Sequence, residues 1–92
     1  MVTAESTGQQ YALRDPDVRL MLQVRDDNAA AFEELMRRYQ SRVITVLEHM
    51  VGRRHHAEDL AQDVFLKLWK ARQTYKPQDQ FPVYLFTIVR NV

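Results

Sequence analysis

One stretch of the chain carries polar residues at a spacing that could recognise another protein. Five residues follow one another by steps of three and four, which places them on one face of a helix: Asp59, Gln62, Asp63, Leu66 and Lys70. A leucine among carboxylates and an amide resembles a contact patch, in which hydrogen-bonding groups surround an apolar anchor. A solvated outer face has the same spacing, because charged outer faces are ordinary. The spacing alone leaves both interpretations open.

No other group of residues in the sequence gives a strong indication of a metal site or a catalytic site. His55 and His56 are adjacent, so they point in different directions on a helix, and His49 lies in the preceding helix. Structural zinc needs about four convergent ligands. The carboxylates form no recognisable acid–base pair, and the sequence has no nucleophile motif, glycine-rich phosphate loop or EF-hand loop. We therefore expect no metal, no cofactor and no enzymatic activity.

The composition limits the chain to one small globular domain. Its 92 residues are 46% hydrophobic and 27% charged, which is ordinary for a soluble protein. With no cysteine it cannot form disulfides. Because the sequence has neither a signal peptide nor an apolar run long enough to span a bilayer, we expect a cytoplasmic protein without a membrane partner. The net charge of +1 means that any DNA contact must be local.

The N-terminal part divides into a leader and a short helix. Residues 1 to about 16 are small and polar and are predicted to form a flexible leader. From Asp17 the apolar residues take helical spacing, and Asp17 can cap this first helix. The Asp26–Asn28 stretch then ends it.

Two longer helices follow. Asn28 can cap the second helix, and Gly52 supplies the usual residue at its C-terminal end. In the third helix, Glu58 and Asp59 are predicted to lie in the first turn, where carboxylates oppose the positive helix end. Basic residues lie near its last turn: Lys67, Lys70 and Arg72.

A loop and a last helix complete the pattern. Residues 73–80 contain Pro77 and are predicted to form the loop. The last segment, FPVYLFTIVRNV, can be capped by Asp79 and tolerates Pro82 in its first turn. It is apolar around most of its circumference, which indicates burial on several sides or an apolar partner.

Three segments together resemble one protein family. The run AEDLAQDVFLKLW resembles conserved region two of sigma factors, in particular the AEDL-x-Q-x-x-F-x-x-x-W pattern of the extracytoplasmic-function (ECF) group. The segments AFEELMRRYQSRV and FPVYLFTIVRN resemble that group's first conserved helix and its F-x-x-W-L-x-x-I-x-x-N segment. All three stand in family order, and the resemblance covers about Val18 to Val92.

The resemblance implies a sigma-factor domain that binds core RNA polymerase and opens promoters. It places Asp59, Gln62, Asp63 and Leu66, with Lys70 on the same stripe, on the helix that docks against the β′ clamp helices of the polymerase. An anti-sigma factor is a further possible partner that the resemblance implies.

The resemblance also assigns the loop and the start of the last helix to promoter DNA, where they hold the non-template strand of the minus-ten element. Melted bases need stacking surfaces and polar edges, and phosphates need positive charge. The predicted DNA-binding residues are Tyr75, Lys76, Gln78, Asp79, Gln80, Arg90 and Asn91. Without the resemblance, Tyr75 could equally be an aromatic residue at the edge of the core.

Some positions depart from the family pattern. Tyr84 stands where the family usually has tryptophan. Thr87 and Ile88 replace the paired tryptophans of primary sigma factors, which favours the ECF group. The C-terminal domain, region 4, which reads the minus-35 element, is absent from this chain, so we expect either a truncated chain or the first domain of a longer protein.

We therefore predict an all-α fold, a small helical bundle of three main helices plus a short N-terminal helix, similar to sigma factor region 2. Residues 17–92 form this domain, and the first helix covers one side. The predicted core comprises Phe32, Met36, Tyr39, Val43, Leu60, Val64, Phe65, Leu68, Trp69, Tyr84, Leu85 and Ile88.

Two other functions are compatible with the helical pattern. A helical protein-interaction adaptor without DNA binding accounts for the helices and the low net charge, but it does not account for three family segments in order. A free-standing helix-turn-helix regulator is weaker, because no short turn precedes a helix rich in polar base-reading residues.

Overall fold

The computed structural model describes residues 4–92, with side chains from residue 8 onward, and these residues form five α-helices. The helices are α1 (Ala4–Arg14), α2 (Pro16–Arg25), α3 (Ala29–Val51), α4 (Arg54–Lys70) and α5 (Phe81–Arg90), with a 3-10 turn at Arg72–Thr74. Since no strand occurs in residues 4–92, the all-α prediction is confirmed. The predicted number of four helices is wrong.

The additional helix, α1, lies within the segment predicted to be a leader, of which residues 1–3 lie outside the described part. Tyr11 and Ala12 are half-buried against the core. Arg19 Nη1 donates to the carbonyl oxygens of Ala12 at 2.7 Å and Leu13 at 3.2 Å, which lie at the helix end, where carbonyls lack helical partners. The apolar pattern did not indicate α1 because so few of its residues reach the core.

Asp15, and not the predicted Asp17, caps α2. Asp15 Oδ1 accepts from the backbone N–H groups of Asp17 at 2.9 Å and Val18 at 3.3 Å. Pro16 begins the helix, a position that suits proline because it has no N–H to satisfy. The Asp17 carboxylate instead accepts from Arg38 Nη1 at 2.6 Å and from the Tyr39 hydroxyl, so it joins α2 to α3.

The predicted ends of α3 are confirmed. Asn28 Oδ1 accepts from Ala31 N–H at 3.1 Å, and Gly52 has a left-handed φ of 77° that glycine adopts at little cost. The α4 helix begins at Arg54, earlier than predicted, so Glu58 and Asp59 do not lie in its first turn. Its last turn carries Lys67 and Lys70 as predicted.

The start of α5 also differs from the prediction. Pro82 lies in the first turn as expected, but Asp79 does not cap the helix, because its Oδ1 accepts only from the adjacent Gln80 N–H at 2.8 Å. Instead, the Phe81 N–H donates to Asp15 Oδ2 at 3.0 Å. The cap of α5 therefore comes from the junction between α1 and α2.

Half of the predicted core residues are buried, with at most 5% of the residue exposed: Tyr39, Val43, Val64, Phe65, Leu68 and Leu85. The other half are only partly buried: Phe32, Met36, Leu60, Trp69, Tyr84 and Ile88. The centre also takes residues from α2, since Val18, Met21 and Val24 are 0% exposed. Burial of such side chains contributes about 1.5–3 kcal/mol each, so α2 forms part of the core and does more than cover one side.

Four aromatic rings connect α3 to α5 and to the loop before it. Tyr39 meets Phe81 at 5.2 Å between ring centroids, Phe81 meets Tyr84 at 6.3 Å, and Tyr84 meets Tyr75 edge-on at 4.8 Å. Burial raises the pKa of all three tyrosines, and in Tyr39 the hydrogen bond to Asp17 raises it further. The three tyrosines are therefore neutral at physiological pH.

Tyr39 and Tyr75 provide a matched pair for testing this packing. The Tyr39 hydroxyl donates to a carboxylate, whereas the buried Tyr75 hydroxyl has no hydrogen-bond partner among the described residues. We expect Tyr39→Phe to lower the free energy of unfolding by about 1–3 kcal/mol and Tyr75→Phe to raise it by about 1 kcal/mol. Urea denaturation followed by circular dichroism measures both changes. Similar losses in the two variants would show that the Tyr75 hydroxyl is hydrogen-bonded.

Candidate functional site

The outer face of α4 is exposed along its length. The five residues predicted to bind a protein partner all lie on it: Asp59, Gln62, Asp63, Leu66 and Lys70. Leu66 is 49% exposed, although leucine is usually buried. The residues on the inner face of the same helix, such as Val64 and Leu68, are 0% exposed. The prediction that this stripe faces away from the core is therefore confirmed.

A groove of about 540 Å³ runs between α3 and α4 beside this face. Its apolar lining comes from both helices: Ala29, Phe32, Met36, Ile44, Ala61, Phe65, Leu66 and Trp69. Polar residues complete its wall: Glu33, Gln40, Glu58 and Gln62. Two of the five predicted residues, Gln62 and Leu66, line the groove. The other three, Asp59, Asp63 and Lys70, lie on the helix face outside it.

The groove itself was not predicted. Phe32, Met36 and Trp69 have core spacing, but in the structure they are only half-buried and line the groove between α3 and α4. The signal in the sequence was an α3 stripe too wide for a single partner helix. An apolar floor between carboxylate and amide groups suits an amphipathic helix with basic or polar flanks.

Arg72 contacts Trp69, which lines the groove. Its guanidinium carbon lies 4.0 Å from the Trp69 ring centroid, and its Nε donates to Asp27 Oδ1 at 2.7 Å. On its other side, Trp69 packs against Phe32 at 5.1 Å. A side chain held by a cation–π contact and an aromatic neighbour needs little reordering when a partner binds.

The predicted DNA-binding loop presents four of its five predicted residues to solvent: Lys76, Gln78, Asp79 and Gln80. Tyr75 is the exception, because it is only 3% exposed. Its ring packs edge-on against Tyr84, and its carbonyl oxygen accepts from Arg25 Nη1 at 3.2 Å. The prediction that Tyr75 offers an aromatic face to a base is therefore wrong for this conformation. Tyr75 anchors the base of the loop.

Arg90 and Asn91 lie at the opposite end of α5 from the loop, about 14 Å away along the helix axis. Both are exposed. Between them and the loop, Val83 and Thr87 continue the exposed face of α5. The structure therefore connects the two parts of the predicted DNA-binding set along one helix face, which also includes Val83 and Thr87, neither of which was predicted to bind DNA.

The remaining features of the described residues are minor. In this part of the chain, no group of three or more histidine, cysteine, aspartate or glutamate residues could hold a metal ion. His55 and His56 lie exposed in the first turn of α4. None of the described helices is both long and apolar enough to cross a membrane.

Comparison with known proteins identifies the family. The sigma-70 region 2 model matches residues 35–92, well over half of the chain. Similar curated proteins include RNA polymerase sigma factor CarQ of Myxococcus xanthus, with 39% identity over 71 residues, 77% of this chain and 41% of CarQ. ECF RNA polymerase sigma factor SigE of Mycolicibacterium smegmatis is 34% identical over 68 residues, 72% of this chain and 26% of SigE.

A third relative, ECF RNA polymerase sigma factor SigW of Bacillus subtilis, is 26% identical over 70 residues, 76% of this chain and 37% of SigW. The chain therefore spans less than half the length of each of these relatives. No solved structure gives a significant match. On the family match and these relatives, the chain belongs to the sigma-70 region 2 family and is a region 2 domain of the extracytoplasmic-function type.

Proposed function

We propose that this domain acts in transcription initiation as part of a sigma factor, docking on core RNA polymerase and holding the melted minus-ten element of the promoter. The observation that carries the proposal is that the two faces of α4 have different environments. One side is sealed in the core, while Gln62 and the half-exposed Leu66 stand at the wall of an apolar groove.

The partner in the groove is proposed to be the coiled-coil clamp-helix pair of the β′ subunit. A coiled coil offers an amphipathic helical surface, and a groove between two helices is a shape that receives one. Leu66 and Trp69 supply apolar contact area, while Gln62 and Glu58 can pair with polar groups at the edge. Asp59, Asp63 and Lys70 form the charged margin of the same contact, and an anti-sigma factor would compete for this surface.

Promoter DNA is proposed to lie along the loop and the exposed face of α5. Lys76 and Arg90 can neutralise phosphates, while the amides of Gln78, Gln80 and Asn91 can hydrogen-bond the edges of unpaired bases. The low net charge of +1 agrees with a contact that depends on the polymerase for most of its affinity.

One form of the adaptor alternative is a protein whose apolar last helix, α5, docks a partner. In the structure most of the apolar surface of this helix is used within the domain, since Phe81, Leu85 and Val89 are 0% exposed and Tyr84, Phe86 and Ile88 pack against the core. The apolar character of α5 is therefore explained by burial, and no observation favours the adaptor function specifically.

The docking surface can be tested by removing its apolar anchor. We expect Leu66→Ala to weaken binding to purified bacterial core polymerase about tenfold, because a central apolar anchor contributes about 1–2 kcal/mol. Fluorescence anisotropy of the labelled chain measures the affinity. Leu13→Ala is the matched control, because Leu13 is 80% exposed on α1. Equal affinities of the two variants would contradict docking through this face.

The DNA contact can be tested with a lysine pair. We expect Lys76→Ala to weaken binding of the polymerase-bound chain to a single-stranded minus-ten oligonucleotide and to reduce the salt dependence of binding by about one charge. Lys67→Ala removes the same charge from an exposed position on α4 that does not line the groove. If both variants lost affinity equally, the loop would have no specific role in holding the strand.

A further inference from the structure

The junction between α1 and α2 lies directly beside the proposed strand-holding loop. A Cβ atom added at Gly8 of α1 would lie 3.5 Å from the Pro77 carbonyl oxygen, which is ordinary van der Waals contact. Tyr11 and Asp15 share a cavity of about 340 Å³ with Gln80 and Pro82, at the start of α5. The N-terminal helices and the loop are therefore neighbours, although 66 residues separate Asp15 from Phe81 along the chain.

The Asp15 carboxylate joins α2 to the start of α5 by hydrogen bonds, and Arg25 joins α2 to the Tyr75 carbonyl at the base of the loop. Asp15 Oδ1 accepts from the N–H groups of Asp17 and Val18 at the start of α2, and its Oδ2 accepts from the Phe81 N–H at the start of α5. A single carboxylate thus caps two helices, and its negative charge lies at two positive helix ends.

The position of Asp15 is itself fixed. Its backbone N–H donates to the Tyr11 carbonyl oxygen at 2.8 Å, which continues the α1 hydrogen bonding. Arg19 binds the Ala12 carbonyl at 2.7 Å, so α1 and α2 are joined on both sides of Asp15. The Gln80 side chain makes no capping hydrogen bond to α5, and Asp79 bonds only to its neighbour. Among the described residues, Asp15 therefore supplies the side-chain cap of α5.

We propose that Asp15 is a positioning residue for promoter binding: it fixes the first turn of α5 and the end of the loop in the arrangement that receives the melted strand. This inference rests on the proposed function and extends it to α1 and α2, which precede the residues matched by the family model. The loop carries polar side chains that must converge on unpaired bases, so a fixed loop end lowers the entropy lost on binding.

The test uses Asp15→Asn, which changes the number of acceptors without changing the shape. Asparagine caps helices about as well as aspartate, but its single oxygen can serve only one of the two helices. We expect α2, which offers two N–H donors, to keep its cap and α5 to lose it. Hydrogen exchange in the free chain should then show faster exchange of the Phe81 amide, with the Val18 amide unchanged.

In complex with core polymerase, we expect Asp15→Asn to weaken minus-ten oligonucleotide binding about fivefold, the equivalent of one lost cap. Affinity for the core itself should stay unchanged, because Asp15 lies away from the α4 groove lining. The expected loss of oligonucleotide affinity is opposite in sign to the effect of charge alone, because removing a negative charge would tighten DNA binding. Asp26→Asn, at the exposed opposite end of α2, is the charge-matched control and should not weaken binding.

If Asp15→Asn bound the oligonucleotide as tightly as Asp26→Asn does, or more tightly, the proposed role of Asp15 would be overturned. It would also be overturned if Asp15→Asn lost as much affinity for the core polymerase as for the oligonucleotide. Failure of the unaltered polymerase-bound chain to bind the oligonucleotide would be a different result, because it would overturn the proposed function itself.

Discussion

The packing of α4 against α3 is the interaction on which the rest of the domain depends. The inner stripe of α4 is fully enclosed, so the helix cannot rotate without exposing Val64 and Leu68 to water. This fixed rotation keeps Gln62 and Leu66 at the groove wall. Because α3 supplies the opposite wall through Phe32 and Met36, the same helix pair that stabilises the fold also shapes the proposed docking surface.

Two aspartates extend this packing to the remaining helices. Asp17 joins α2 to α3 through Arg38 and Tyr39, and Asp15 joins α2 to α5 through the Phe81 N–H. Between these polar ties, Tyr39 and Phe81 pack directly against each other. The proposed docking surface and the proposed strand-holding loop are thus parts of one connected arrangement, in which α2 is central.

Local signals in the sequence predicted local structure well. Asn28 and Gly52 act within their own turns, so residue type and position were sufficient to predict both ends of α3. The caps of α2 and α5 were misassigned to Asp17 and Asp79, because the choice among nearby aspartates depends on tertiary partners. For α5 the capping group is 66 residues away, and no local pattern can indicate that.

The exposed stripe of α4 was predictable from its period, whereas the groove was not, because residues of two different helices form it. The place of Tyr75 also depends on tertiary contacts that the sequence pattern does not show. The family resemblance assigned this tyrosine to DNA binding, while the residues alone left a place at the edge of the core equally open; contact with Tyr84 and the Arg25 hydrogen bond place it inside. Helix α1 was missed because its packing rests on few residues, Tyr11 and Ala12 among them.

Because the chain has no cysteine, protection of single introduced thiols tests the proposed docking surface most directly. Gln62→Cys places a thiol at the groove wall, and Thr45→Cys places one on an exposed part of α3 that does not line the groove. The account predicts that saturating core polymerase slows alkylation of the thiol at position 62 and leaves the thiol at position 45 unchanged. Equal alkylation rates at position 62 with and without a polymerase that binds the chain would contradict the account.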